Sequence, residues 1–239
     1  MAVQRETELY LPIKQFFTAQ GYDIKSEVRH CDLVGVREQD PEPLIIEIKK
    51  TFNIALLLQG IERLKLSSNV YLAVEKNRAK KGAHNQCWSE LTELCHRLGL
   101  GFIVVTLYKT KAPFVEILCS PVISSKSIQP ARRGSRKHKL LQEIAERSGD
   151  YNLGGSTGTP LITAYREKAL RIASAFGTDL YLSPRVLRER SGVGTTATIM
   201  QRNHYGWFER VARGSYQLTT AGRLALEQYA HVVENQKSL

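Results

Sequence analysis

Two charged residues interrupt an apolar, strand-like segment between Leu44 and Lys49. The segment reads Leu-Ile-Ile-Glu-Ile-Lys, so Glu47 and Lys49 are two residues apart and would point to the same face of a strand. Asp32 opens the preceding strand-like segment, and a hairpin between the two segments would bring its carboxylate close to Glu47. Because adjacent carboxylates repel each other, this arrangement is most easily tolerated when a cation lies between them.

These residue types suit metal-assisted hydrolysis of a phosphodiester bond. Carboxylate oxygens with room for water are the ligands that Mg²⁺ or Mn²⁺ prefers, which makes Asp32 and Glu47 candidate metal ligands. Lys49 would orient the attacking water or neutralise the charge that develops on the phosphate. The alternative is a solvated pair of Glu47 and Lys49 on a half-exposed strand, with Asp32 as a turn residue.

The segments around these residues predict an α/β domain with a mixed sheet covered by helices. The predicted strands are Tyr22–Arg29, Asp32–Val36, Leu44–Lys49, Val70–Val74, Phe102–Leu107 and Phe114–Leu118. The predicted helices are Glu6–Gln20, which contains Pro12, then Asn53–Leu66 and Gln86–Leu98. In the second helix, the apolar stripe expected to face the sheet is formed by Ile54, Leu57, Leu58, Ile61 and Leu64.

Asp32 followed by Glu47-Ile48-Lys49 resembles the pattern of the PD-(D/E)XK nuclease superfamily, whose fold is restriction-endonuclease-like. Cys31 stands where that superfamily often has proline. The superfamily often adds a glutamate on the first helix and a glutamine on the helix after the lysine, and Glu6 and Gln59 are similar to those positions. The resemblance implies that Glu6 and Gln59 complete the site, with Glu6 as a further metal ligand.

Helix geometry supports these two choices. At 100° per residue, Glu6 lies on the same face as Ile13 and Phe17, whereas Glu8 lies on the opposite face. Gln59 lies off the apolar stripe of its helix and would be free to reach the site. Its alternative role is a solvated surface glutamine.

Three other segments resemble a bacterial domain-of-unknown-function family, described as phosphodiesterases of the same superfamily. They are Glu-Thr-Glu-Leu-Tyr at 6–10, Ala-Leu-Leu-Leu-Gln-Gly at 55–60 and Tyr-Gly-Trp-Phe-Glu-Arg at 205–210. This resemblance spans nearly the whole chain, whereas the catalytic pattern alone spans residues 6 to 59.

The second half of the chain differs in pattern. Residues 120–160 are rich in Ser, Pro and Gly and predict a basic linker with a short helix, Leu140–Arg147. From Leu161 onward the order helix, helix, helix, hairpin, helix resembles a winged helix-turn-helix domain. The expected domains are therefore a nuclease-like domain at 1–119, the linker at 120–160 and a winged helix at 161–239.

Charge points to a polyanionic partner. The chain has 34 basic and 23 acidic residues, and 18 of the basic against 9 of the acidic residues lie between 120 and 239. The predicted nucleic-acid contacts on the third helix are Thr195, Thr196, Thr198, Gln201, Arg202 and Asn203. Those on the wing are Arg210 and Arg213, and those in the linker are Arg132, Arg133, Arg136 and Lys137, with Lys139 beside them. The alternative is a winged helix that contacts proteins.

The sequence thus predicts a cytoplasmic nuclease or phosphodiesterase dependent on Mg²⁺ or Mn²⁺, placed on double-stranded DNA by a winged helix. A homodimer would supply the two centres needed to cut both strands. A membrane partner is not expected because the chain has no run of about 18 apolar residues. The four cysteines lack CxxC spacing, which argues against a zinc finger. The rival hypotheses are a non-catalytic DNA-binding regulator with a nuclease-like fold and a protein-binding adaptor.

Overall fold

A computed structural model describes residues 6–76, 87–122, 133–152 and 160–237. The chain divides into two compact units. The first contains Met1–Ala145 and Asn152–Leu161, and the second contains Glu146–Tyr151 and Ile162–Leu239.

The first unit is built on a mixed sheet. Within the described residues its six strands are β1 (Asp23–Val28), β2 (Cys31–Val36), β3 (Leu44–Lys49), β4 (Val70–Glu75), β5 (Gly101–Thr106) and β6 (Phe114–Cys119). They lie side by side in chain order. Short connections make β1, β2 and β3 antiparallel neighbours, while β3, β4 and β5 are parallel because helices connect them. Strand β6 returns antiparallel to β5.

Helices cover both faces of this sheet. They are α1 (Thr7–Thr18), α2 (Ile54–Arg63), α3 (Trp88–Arg97) and α4 (Arg133–Glu146). Helix α1 continues through Pro12 and packs Leu9 and Ile13 against one face, next to Ile46 of β3. On the other face, Leu56 of α2 packs with Ile45 of β3. The predicted α/β class, with helices flanking a mixed sheet, is confirmed.

Helix α2 presents a different face to the sheet from the one predicted. Of the expected apolar stripe, Ile54, Leu58 and Ile61 are 75%, 59% and 38% exposed. The buried residues of α2 are Leu56 and Gly60. A Cβ atom at position 60 would lie 2.7 Å from Cδ2 of Leu72, so glycine permits the close approach of α2 to β4.

The expected linker contains part of the first unit's core. Leu140 and Ile144 of α4 are buried in the same cluster as Leu56 and Val34. The helix begins at Arg133, earlier than the predicted Leu140. Leu140 and Ile144 are four residues apart, so they lie on one face of the helix and pack together into the core. Residues 123–132 and 153–159 of that segment lie outside the described residues.

The second unit contains five helices and a hairpin within the described residues. They are α5 (Ala164–Ser174), α6 (Pro184–Ser191), α7 (Thr196–Arg202), β7 (Phe208–Ala212), β8 (Ser215–Leu218), α8 (Thr220–Gln228) and α9 (Ala230–Lys237). Ser183 caps α6, and Gly192 ends it with a φ of 67°, the left-handed conformation that glycine adopts readily. Leu170, Leu187, Ile199 and Phe208 belong to one buried cluster of this unit.

No helix in the described ranges has both the length and the apolar character needed to cross a bilayer.

Candidate active site

Asp32 is positioned by the turn between β1 and β2. Arg29 and His30 form this two-residue turn with φ values of 48° and 66°, which non-glycine residues rarely adopt. Oδ2 of Asp32 accepts a hydrogen bond of 2.7 Å from the backbone N–H of Ile48 in β3. Burial is the main cause that raises the pKa of the Asp32 carboxyl, and the Ile48 N–H opposes it.

Glu47 lies on the neighbouring strand. The register pairs Leu33 with Ile46, and continuing it by one residue sets Asp32 opposite Glu47. The Glu47 side chain is fully buried, and burial, followed by the nearby charge of Asp32, raises its pKa to about 7. The two carboxyl groups therefore lie at paired positions on adjacent strands, and the charge of Asp32 acts on Glu47.

Lys49 is on the same face of β3 as Glu47, as its spacing predicts. Its Nζ lies 3.1 Å from Oε2 of Glu6, and the two side chains are 28% and 31% exposed. Burial disfavours the Lys49 charge, but the bond to Glu6 and the charges of Glu6, Asp32 and Glu47 together raise its pKa. The ammonium group is therefore held by Glu6, within the electrostatic influence of Asp32 and Glu47.

Glu6 occupies the N-cap position of α1, but its side chain makes no capping bond there. Its carboxylate accepts the hydrogen bond from Lys49. Among the residues that the structure describes, no group of three or more His, Cys, Asp or Glu side chains is arranged to hold a metal ion. The structure thus gives Glu6 a different contact from the metal-ligand role that we expected.

Gln59 is half-buried on α2, and it lies off the predicted apolar stripe but beside the residues that the helix buries. Helix geometry places it on the same side as Leu56, Gly60 and Arg63. Its Oε1 is buried and has no hydrogen-bond partner among the described residues. An acceptor in this state is available to a donor that enters the site.

Arg63 is the site residue that sequence reasoning missed. Its Nε donates to Oε1 of Glu47 at 2.5 Å, and one of its terminal nitrogens donates to the carbonyl oxygen of His30 at 2.5 Å. The signal was present, because Arg63 follows Gln59 by four residues and so shares its helix face. The predicted apolar stripe of α2 implied that the helix face carrying Gln59 and Arg63 points to solvent, so Arg63 was not considered.

The carboxylate pair fits a hard divalent cation. Arg63 contacts Oε1 of Glu47, whereas Oε2 is buried with no hydrogen-bond partner in the described part of the chain and is available to a positive ligand. Carboxylate oxygens are ligands that Mg²⁺ and Mn²⁺ accept. Asp32 and Glu47 are the residues that would hold the ion.

The residues predicted to bind nucleic acid fall into two groups. Thr195, Thr198, Gln201, Arg202, Arg210 and Arg213 are exposed. Two others have internal roles. Thr196 is fully buried and its hydroxyl donates to the carbonyl of Val193, and Asn203 binds both the N–H and the C=O of Phe208. The predicted phosphate contact of Thr196 and the predicted base contact of Asn203 therefore compete with internal hydrogen bonds at the two ends of α7.

The basic run has mixed outcomes. Arg132 lies outside the described residues, and of Arg133 only the backbone, at the start of α4, is described. Nζ of Lys137 is 2.8 Å from Glu42, and an exposed Arg136 lies 3.6 Å from Glu62. Lys137 is thus engaged within the first unit, and Lys139 is exposed.

The mixed sheet flanked by helices is an α/β architecture consistent with a nuclease-like fold. Residues 103–225 match the family described as "Putative PD-(D/E)XK phosphodiesterase (DUF2161)". This match covers more than half of the chain, so the chain belongs to that family, and the resemblance seen in the sequence is confirmed. No curated protein and no solved structure matches the chain.

The matched segment begins within β5 and ends within α8. It is shorter than the near-complete resemblance that we expected, and Asp32, Glu47 and Lys49 lie outside it. The candidate site therefore depends on the geometry of β2, β3 and α2.

Proposed function

We propose that this protein is a divalent-cation-dependent phosphodiesterase that hydrolyses nucleic acid, with double-stranded DNA as its substrate. The observation that carries the proposal is the convergence of Asp32, Glu47 and Lys49 at one end of two adjacent strands. Family membership supports the phosphodiesterase class. The high share of basic residues supports a polyanionic substrate.

In this proposal each side chain has one task. Asp32 and Glu47 hold the cation, which when bound supplies Lewis acidity toward the phosphate and its attacking water. Lys49 neutralises charge on the phosphate oxygens, and its bond to Glu6 keeps the ammonium group in place. Gln59 would accept a hydrogen bond through its unpartnered Oε1 and so orient a water molecule or the substrate.

We also propose that the second unit is a winged helix that positions the enzyme on DNA. Its three helices α5–α7 precede the hairpin of β7 and β8, and Leu182 forms an antiparallel bridge with Tyr216 of β8. This bridge places a third short extended segment beside the hairpin, as a winged helix requires. Gln201 and Arg202 on α7 would enter the major groove.

A cleavage assay tests the catalytic proposal. Supercoiled plasmid and an end-labelled duplex are incubated with Mg²⁺ or Mn²⁺ and with the wild type, Lys49→Ala or Lys65→Ala. Lys65 is 53% exposed and bonded to Glu62, so its replacement removes the same charge away from the site. We expect Lys49→Ala to lose activity by about a hundredfold or more and Lys65→Ala to keep it. Equal cleavage by Lys49→Ala and the wild type would refute the mechanism.

A second candidate function is a DNA-binding regulator without catalysis. The contact between Arg63 and Glu47 favours it, since a guanidinium group occupies one oxygen of the proposed ligand. Salt-sensitive binding of DNA by the wild type, without cleavage under either metal, would establish this alternative.

A further inference from the structure

Arg63 forms a buried ion pair with Glu47, the carboxylate on which the proposed cation site depends. The Glu47 side chain is fully buried and that of Arg63 is 14% exposed. The pair is joined at 2.5 Å, and a second bond of 2.5 Å fixes the guanidinium to the carbonyl of His30. His30 adopts a φ of 66°, in the turn that leads into β2. Arg63 is therefore anchored at two points inside the site.

The charges of the site are nearly balanced with Arg63 in this position. Glu6, Asp32 and Glu47 carry three formal negative charges when ionised, and Lys49 and Arg63 carry two positive charges. One negative charge remains, which is less than a divalent cation would neutralise. A cation bound to the unpartnered Oε2 of Glu47 would also lie within a few ångströms of the guanidinium at Oε1, where like charges repel strongly at low dielectric.

We propose that Arg63 is the resident counter-ion of Glu47 and that it exchanges with the divalent cation. When the cation binds, the guanidinium leaves Oε1 of Glu47, and when the cation is released, Arg63 returns. Glu47 is thereby never left buried without a positive partner, which would be costly. Arginine suits this task because its charge does not titrate. Its long side chain also lets the guanidinium move away from Glu47 while the backbone of Arg63 stays in α2. The inference rests on the proposed function because it assumes that a cation binds at Glu47.

Calorimetric titration with Mg²⁺ at pH 8.5, in the absence of nucleic acid, tests the exchange. Arg63→Met should bind Mg²⁺ about tenfold to a hundredfold more tightly than the wild type, since the competing charged hydrogen bond is absent. Arg63→Lys should bind severalfold more tightly, because an ammonium group does not reproduce both bonds of the guanidinium. Glu47→Gln should bind more weakly than the wild type.

A second measurement uses the unaltered side chain and does not depend on whether Arg63→Met folds. The Nε–H resonance of Arg63, assigned in a ¹⁵N spectrum by comparison with Arg63→Lys, should shift on addition of Mg²⁺ as its bond to Glu47 breaks. In Glu47→Gln the same addition should leave that resonance unchanged. Unchanged or weaker Mg²⁺ affinity in Arg63→Met, or an Nε–H resonance that ignores Mg²⁺ in the wild type, would overturn the exchange.

The outcomes separate this inference from the proposed function. Cleavage that depends on Lys49, together with Arg63 variants of unchanged affinity, would support the function and overturn the exchange. Tighter binding by the Arg63 variants through Glu47, with no cleavage by the wild type, would support the exchange and overturn the enzymatic function.

Discussion

Replacing Glu47 by glutamine should change how the stability of the first unit depends on pH. In the folded protein the pKa of Glu47 is about 7, against an ordinary value of 4.5, chiefly because the carboxyl is buried and secondly because Asp32 is near. Between these two values the folded state binds more protons than the unfolded state. The free energy of unfolding therefore falls as pH rises through this window.

The size of the effect follows from the separation of the two pKa values. Each unit of difference corresponds to about 1.4 kcal/mol, so the wild type should lose about 3 kcal/mol through Glu47 between pH 4.5 and pH 7. Glutamine does not titrate and removes this loss. The lost bond to Arg63 adds an offset that is nearly constant, because arginine stays charged throughout this range.

Urea unfolding at a series of pH values between 4.5 and 8 measures this difference. The chain contains two tryptophans, Trp88 in the first unit and Trp207 in the second, so a Trp207→Phe background makes the fluorescence report on the first unit. Glu116→Gln is a matched control, since Glu116 is 39% exposed and solvent screens its contact with Lys76.

The free energy of unfolding of Glu47→Gln, relative to the wild type, should rise by about 3 kcal/mol across this range. In Glu116→Gln the corresponding change should be much smaller. Parallel curves for Glu47→Gln and the wild type would show that burial does not control this carboxyl, and our account of the site would be wrong.

Three further substitutions or reagents test individual contacts. Asp32→Ala should lower the free energy of unfolding by about 1–3 kcal/mol in chemical denaturation, because the N–H of Ile48 loses its acceptor, while Asp32→Asn keeps an oxygen and should lose less. An equal loss in both would contradict that role. Asn203→Ala should lower the melting temperature while leaving DNA affinity unchanged, because its side chain binds the backbone of β7; weaker DNA binding without destabilisation would argue for base contact. At pH 8, iodoacetamide should modify the exposed Cys87 well before the buried Cys31, because burial raises the pKa of Cys31 to about 12. Peptide mass spectrometry measures the two rates, and equal rates would refute the burial of Cys31.

The sheet and the pairing of Asp32 with Glu47 were predictable because both follow from short-range rules. Because side chains alternate along a strand, Glu47 and Lys49 had to lie on the same face of β3. The short connection between β2 and β3 made these two strands neighbours, which brought Asp32 beside Glu47. Strands β4 and β5 are buried on both faces, and such strands are mostly apolar, as these are up to their last residues, Glu75 and Thr106. These features depend on neighbours in sequence.

The errors arose where long-range packing decided the outcome. The outward direction of Ile54 and Leu58 follows from the approach of α2 to β4, which apolar counting does not detect. The same error hid Arg63 from the predicted site. Asn203 has the chemistry of a base-reading residue, but its φ of 43° and its bonds to Phe208 make it the end of a helix.

The close approach of Gly60 to Leu72 in the hydrophobic core fixes how near helix α2 lies to the sheet, and with it the positions of Gln59 and Arg63. A single methyl group at position 60 would meet Leu72 at 2.7 Å and push the helix outward by some tenths of an ångström. Gln59 and Arg63 would retreat together, although neither had been altered, and catalytic constellations tolerate misplacement of only about 0.5 Å. The positions of Gln59 and Arg63 in the candidate site thus depend on the absence of a side chain at Gly60, which itself contributes no polar group to that site.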